Sequence, residues 1–239
     1  MREPTTPLPT APLPTAALPT ALQKNLPAGT AAGGLIDLER FRATPLSPDP
    51  YDHLIVPGFI RADARDAVNR DFPEITRPGS FPASELRFGA VFARLLAEIQ
   101  GPEMTRAFAE KFDLDLSGRP TMVTVRGRAR AKDGRIHTDS DSKIITVLIY
   151  MNPSWESPDG RLRLLRSPDR LDDAAVEVPP EEGTLLAFRN GPTAWHGHSS
   201  FVGQRRVIQL NWVTDAGVVR REQFRHSVTA RLKRLNPFR

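Results

Sequence analysis

Six short β-type runs separated by turn residues fill the stretch from Thr121 to Val213, and this rhythm limits the fold more than any other feature of the chain. The runs are Thr121 to Arg126, Lys143 to Met151, Arg161 to Leu165, Ala174 to Val178, Leu185 to Phe188 and Arg206 to Val213. β-Branched and other apolar residues dominate them, while Gly, Pro and Asp punctuate the gaps. Many short strands with such turns predict a sandwich or jelly roll, in which two facing sheets bring together residues far apart in sequence.

Upstream, the pattern is helical. Asp52 to Ile60 reads as a strand and turn, and Arg61 to Arg70 as a helix. From Ser84, the residues Leu86, Phe88, Val91, Leu95 and Ile99 recur at helix-like spacing and define one apolar face. Gly101-Pro102 interrupts that helix, and Met104 to Phe112 resumes it. This helical layer is expected to pack outside the sheet and support it. Residues 1–45 are different material, a proline- and threonine-dense imperfect repeat. Proline removes a backbone donor and fixes φ, so an extended, poorly ordered tail is expected there. The domain proper is placed at 46–239. Near 220–235 a basic amphipathic helix is expected, with Phe224, Val228, Leu232 and Leu235 along one side.

Composition narrows the functional classes. With no cysteine among 239 residues, disulfides and thiolate metal sites are excluded. That fits a reducing, cytoplasmic setting. No apolar run approaches the length of a membrane span, and no secretory leader is evident. The net charge of +5 is modest and lacks the aromatic interleaving of a single-strand platform, so nucleic acid is not an expected partner.

The chemistry resides in two stretches. His137-Thr138-Asp139 stands at the mouth of the Lys143 to Met151 run, and Trp195-His196 precedes the last run, with Arg205-Arg206 behind it. Residues two apart on an extended strand point to the same side, so an imidazole and a carboxylate at that spacing can grip one ion. A third ligand must come from elsewhere, and His196 is the natural supplier. Two His and one carboxylate on one face form the facial triad of non-heme Fe(II) oxygenases, which leaves coordination positions open.

The surroundings sharpen this reading. After Asp139 come Tyr150-Met-Asn152-Pro-Ser-Trp155, Asp159-Gly160-Arg-Leu162 and Gly183-Thr-Leu-Leu-Ala-Phe188, and the series closes with Trp195-His196-Gly-His198, Gly203-Gln-Arg205-Arg206 and a run ending at Trp212. From about Pro120 to Thr214 the order resembles the prolyl-4-hydroxylase-like branch of the 2-oxoglutarate- and Fe(II)-dependent dioxygenases. The resemblance implies an α+β fold with a double-stranded β-helix (jelly roll) core and a supporting N-terminal helical layer. It implies His137, Asp139 and His196 as iron ligands and catalytic centre. Arg206 or its neighbour Arg205 would hold the distal carboxylate of the cosubstrate 2-oxoglutarate, with Tyr150 a candidate second contact and ascorbate a candidate reductant. Related halogenases replace the carboxylate ligand with a small residue, so Asp139 points to hydroxylation of a peptidyl or small-molecule substrate.

Two local choices follow. His198 shares a face with His196 on an extended segment, but spacing to the arginines and Trp212 favours His196 as ligand. On a strand from Arg206 to Val213, one face carries Arg206, Ile208, Leu210 and Trp212, and the other carries Arg205, Val207, Gln209 and Asn211. The first is apolar apart from its arginine, so it is expected inside the barrel, with Arg206 as the cosubstrate anchor. A β-bulge at Gly203-Gln204 would exchange the two. Arg126 and Arg128 are further candidates to face the cosubstrate. Rival readings are a nucleic-acid demethylase of the same superfamily and a non-catalytic metal-binding jelly roll. The sequence leaves the oligomeric state open.

Overall fold

A computed structural model of the chain describes residues 33–220. The element order is α1 (Leu38–Ala43), β1 (His53–Val56), α2 (Arg65–Arg70), β2 (Phe81–Pro82), a 3-10 turn (Ala83–Glu85), α3 (Ala90–Ile99), α4 (Pro102–Phe112), β3 (Thr121–Ala129), β4 (Lys143–Tyr150), β5 (Leu162–Leu165), β6 (Ala174–Val178), β7 (Leu185–Arg189), β8 (His196–Gly197) and β9 (Gly203–Val213). Six strands form one sheet in the order β1-β7-β4-β9-β3-β2, and three form a second in the order β6-β5-β8. Every pairing between these strands is antiparallel. This is the α+β, double-stranded β-helix architecture with helices outside.

The helices start where the chain chemistry permits. Pro102 opens α4 directly after Gly101, where a missing N–H costs nothing. The N-terminus of α3 is capped from a distance, because the Asp71 carboxylate accepts from the Val91 N–H at 2.7 Å. A side chain at Gly89, the N-cap of α3, would collide with that carboxylate, so this end needs a glycine.

The large sheet has two unlike faces. Towards the helices it presents Val125, Ile145, Val147, Ile149, Ile208, Leu210 and Trp212. Phe108 of α4 packs at a tilt on Trp212, at 4.7 Å between ring centroids, and on Phe41 of α1, at 4.6 Å. The other face, with Leu148, Tyr150, Leu186, Phe188 and Val207, meets Leu162 and Leu164 of the small sheet. The main apolar core therefore lies between helices and sheet, which leaves the space between the sheets free for polar groups.

The folded unit reaches back beyond the expected boundary at residue 46. Residues 33–45 contain α1, and its Phe41 is fully buried. Asp37 caps this helix by accepting from the Arg40 N–H at 2.9 Å. The proline-rich composition upstream masked one short amphipathic turn. The rest of the expected tail, 1–32, lies outside the described residues. So does the expected C-terminal helix, except that residues 216–220 are helical, with the Asp215 carboxylate accepting from the N–H groups of Gly217 and Val218.

Candidate metal centre and anion anchor

β8 is only two residues long, yet it joins the two halves of the site. It pairs with β5 through His196 and Gly197, and His196 exchanges both backbone hydrogen bonds with His137 at 3.0 Å. That bridge sets the two imidazoles 4.3 Å apart between ring centroids. Asp139, two residues after His137, brings its carboxylate to the same place. One ligand atom from each of His137, Asp139 and His196 lies within 4.8 Å of the others.

Both rings are oriented by the same device. The Nδ1 of His137 lies 2.8 Å from the Arg135 carbonyl, and the Nδ1 of His196 lies 2.9 Å from the Ala194 carbonyl. A carbonyl can only accept, so each Nδ1 carries the proton and each Nε2 keeps a free lone pair. This is how imidazole ligands are held ready for a cation. Burial, reinforced by the neighbouring His137, pushes the His196 pKa down to about 4, so the ring is neutral near pH 7.

Asp139 is held ionised from two sides. Lys143 Nζ donates to one carboxylate oxygen at 2.6 Å and Thr146 Oγ1 donates to the other. Thr146 Oγ1 accepts from Asn211 Nδ2 at 2.8 Å, and Asn211 Oδ1 accepts from Gln209 Nε2 at 3.2 Å. Every donor in this chain points towards the carboxylate. Burial opposes the charge on Asp139, but Lys143, His196 and these hydrogen bonds outweigh it and keep the pKa below the usual carboxylate value.

The cleft around the triad has a volume of about 160 Å³, and Arg126, Lys143, Leu148, His198, Arg205, Val207 and Gln209 contribute to its walls. Arg205, not Arg206, faces it. Facing alternates along β9 as the sequence predicts, but the assignment of the two faces is reversed. The apolar face with Ile208, Leu210 and Trp212 is taken by the helices, and Arg206 goes with it to lie over the Phe72 ring at 5.2 Å. The polar face turns into the barrel because the site itself is polar. A register shift opposite Arg126 and Arg128 accompanies the arginine pair without being needed to explain this reversal.

Arg205 is buried, and its guanidinium lies 5.6 Å from the centre of the Tyr150 ring. Its Nε donates to the Gly160 carbonyl at 2.9 Å. Its Nη2 and the Tyr150 hydroxyl are both buried without a hydrogen-bond partner. Burial pushes the Tyr150 phenol up to about 12, with the Arg205 charge pulling the other way. It also lowers the Arg205 pKa, against the pull of Tyr150. A guanidinium with one unsatisfied nitrogen beside an unsatisfied phenol is costly unless an anion completes them. A carboxylate supplies the acceptors both groups lack.

Other expected residues have structural duties. Asn152 donates to the Pro180 carbonyl at 2.6 Å and accepts from the Arg206 N–H at 2.7 Å, tying the end of β4 to β9. Trp155 donates to the Asp159 carbonyl at 3.0 Å and packs on Phe201, which steadies the turn carrying the Gly160 carbonyl. A side chain at Gly160, where φ is +74°, would strike both aromatics. His198 lines the cleft but lies outside the triad, its Nδ1 2.8 Å from the Ser199 carbonyl. His53 is buried beside the Tyr51 carbonyl. Sequence reasoning missed Lys143, Thr146 and Asn211 as supports of Asp139. A signal was present, since Thr146 is a hydroxyl in an otherwise apolar run and shares strand parity with Tyr150.

Comparison with known proteins agrees with this geometry. Residues 128–214 match the family model described as the 2OG-Fe(II) oxygenase superfamily. No curated protein matches. Among solved structures, a prolyl 4-hydroxylase from Phytophthora capsici superposes with a TM-score of 0.53 at 16% identity, covering 82% of this chain and 71% of that one. A prolyl-4-hydroxylase from Pseudomonas putida gives 0.47 at 19% identity, covering 75% and 97%. The matched segment contains His137, Asp139 and His196, the three residues of the His/Asp/His cluster, and the Phytophthora structure shares the fold of this chain.

Proposed function

We propose that the protein is a 2-oxoglutarate- and O₂-dependent oxygenase that hydroxylates a C–H bond of a peptidyl or small-molecule substrate. The observation that carries this reading is the pairing, in one cleft, of a three-ligand N,N,O cluster with a buried guanidinium and phenol whose Nη2 and hydroxyl find no partner among the described residues. His137, Asp139 and His196 would hold the ferrous ion, and the donor set suits that ion. Arg205 and Tyr150 would hold the distal carboxylate of 2-oxoglutarate. When bound, the two supply the oxidising power, as 2-oxoglutarate and O₂ are converted to succinate and CO₂ while one oxygen atom enters the substrate.

The chain's own contribution is preorganisation. The Arg135 and Ala194 carbonyls fix both imidazole tautomers, and Lys143 and Thr146 fix the carboxylate. Leu148, Leu162 and Val207 give the cleft apolar walls, which limit water around the reacting groups. A jelly roll that only bound a metal would have no use for a buried guanidinium and phenol awaiting an anion, and this favours the catalytic reading. The test is succinate formation from 2-oxoglutarate by protein loaded anaerobically with Fe(II) and then exposed to air. Succinate above the free-iron background is expected. Its absence across a broad screen of candidate substrates, together with failure to bind 2-oxoglutarate, would overturn the proposal.

A further inference from the structure

The cleft contains a second guanidinium without a counter-ion. Arg126 sits on the site-facing side of β3, opposite Val207, and lines the same cleft as the triad. No hydrogen bond or ion pair joins its side chain to any described residue. The carboxylate that acts on it most strongly, Asp133, is already engaged by Arg130, which donates through its backbone N–H and its Nε, both at 3.1 Å. Asp139, the other carboxylate acting on Arg126, is taken by Lys143 and Thr146. Arg205 acts on Arg126 with like charge.

Charge in the cleft is therefore out of balance. Arg126, Lys143 and Arg205 are cationic and Asp139 alone is anionic, a surplus of two positive charges before the imidazoles are counted. Loading the site leaves the surplus in place, because a divalent metal and the 2-oxoglutarate dianion cancel each other. One carboxylate of 2-oxoglutarate belongs at the metal and the other at Arg205, so Arg126 still lacks a partner. The approach is basic as well, since Arg128, Lys132 and Arg135 are exposed on the same segment. Cations that line a cleft without a counter-charge are the usual mark of an anion site.

We infer that Arg126 is a specificity residue that binds an oxyanion, carboxylate or phosphate, on the primary substrate, so that the enzyme oxidises an anionic molecule. The inference rests on the oxygenase reading above, because it counts 2-oxoglutarate as already seated on Arg205.

Calorimetric titration tests it without knowledge of the substrate. Zn(II)-loaded protein is first titrated with 2-oxoglutarate, and the saturated complex is then titrated with acetate and, separately, with inorganic phosphate. Both wild type and Arg126→Gln should bind 2-oxoglutarate, with affinities within about threefold of each other. Wild type should then bind a second anion, at least about tenfold more tightly than Arg126→Gln does, and Arg126→Lys should fall between them. Preference for acetate identifies a carboxylate substrate, and preference for phosphate a phosphorylated one. If Arg126→Gln does not fold, the side-chain Nε–H resonance of Arg126 in ¹⁵N-labelled wild type, assigned with Arg126→Lys, should move as anion is added. Binding of 2-oxoglutarate without a second anion, or second-anion binding unaffected by the substitutions, overturns this inference alone. A large loss of 2-oxoglutarate affinity in Arg126→Gln also overturns it, by making Arg126 part of the cosubstrate anchor. Failure of wild type to bind 2-oxoglutarate at all overturns the oxygenase reading, and this inference with it.

Discussion

The guanidinium of Arg205 lies over the ring of Tyr150, 5.6 Å from its centre, and each residue buries a polar atom that no described residue satisfies. Removing the positive member of that pair should remove the cosubstrate's charged partner. Loss of a buried charged pair costs about 3–5 kcal/mol, roughly two to four orders of magnitude in affinity. Arg205→Ala should weaken 2-oxoglutarate binding to Zn(II)-loaded protein by that amount. Arg206→Ala forfeits contacts outside the cleft, with the Phe72 ring and with the Gln204 side-chain oxygen, so its 2-oxoglutarate isotherm should be close to wild type. A larger defect in Arg206→Ala would restore the anchor to the helix-facing side.

Tyr150→Phe removes one hydroxyl and leaves the packing intact. A hydrogen bond to a charged group is worth about 1.5–3 kcal/mol, so 2-oxoglutarate affinity should fall by roughly ten- to a hundredfold. Thermal stability should hold or rise slightly, since a buried unpaired hydroxyl disappears. An unchanged affinity would mean that the phenol is only a packing element.

Thr146→Val should reveal the support of Asp139. It cuts the relay from Gln209 through Asn211 at the last link. Losing a hydrogen bond that orients a metal ligand typically lowers metal affinity about ten- to a hundredfold. Competition against a chelator should show this, and Thr146→Ser, which keeps the hydroxyl, should recover most of it.

The metal-free protein should lose stability in acid through its histidines. His196 and His198 have pKa values lowered to about 4, chiefly by burial, from an ordinary value of 6.5. A depressed histidine pKa means that the unfolded chain binds the proton more readily. Stability is therefore fully present above about pH 6.5 and is lost as pH falls towards 4, on the order of 3 kcal/mol for each ring. Melting temperatures of apo protein between pH 7 and pH 4 should trace this decline, and His198→Asn should make it shallower. A flat profile over that window would contradict the neutral, buried placement of the rings.

Much of the fold could be read from the chain because its elements obey simple periodicities. The apolar face on Val91, Leu95 and Ile99 became α3, Gly101-Pro102 marked the α3–α4 break, and all six expected runs became strands. The triad was legible because a two-residue spacing on a strand fixes the facing of His137 and Asp139. The face of β9 that enters the barrel was not legible. Alternation along a strand tells which residues travel together, whereas the destination of each face depends on which partner layer is more apolar. Helices with Phe92, Phe108 and Phe112 claimed the Trp212 face, so the polar face was left for the cleft. Helix α1 was missed because six residues carry too little periodicity to stand out beside a proline-rich stretch.

The most direct test of the metal centre compares four variants, His137→Ala, Asp139→Ala, His196→Ala and His198→Ala, for bound Fe(II) and for Fe(II)-dependent succinate formation under identical anaerobic loading. The first three should lose both properties, while His198→Ala should keep its metal close to wild-type stoichiometry. Retention of metal and turnover by His196→Ala, with loss of both in His198→Ala, would contradict the His137, Asp139 and His196 ligand set.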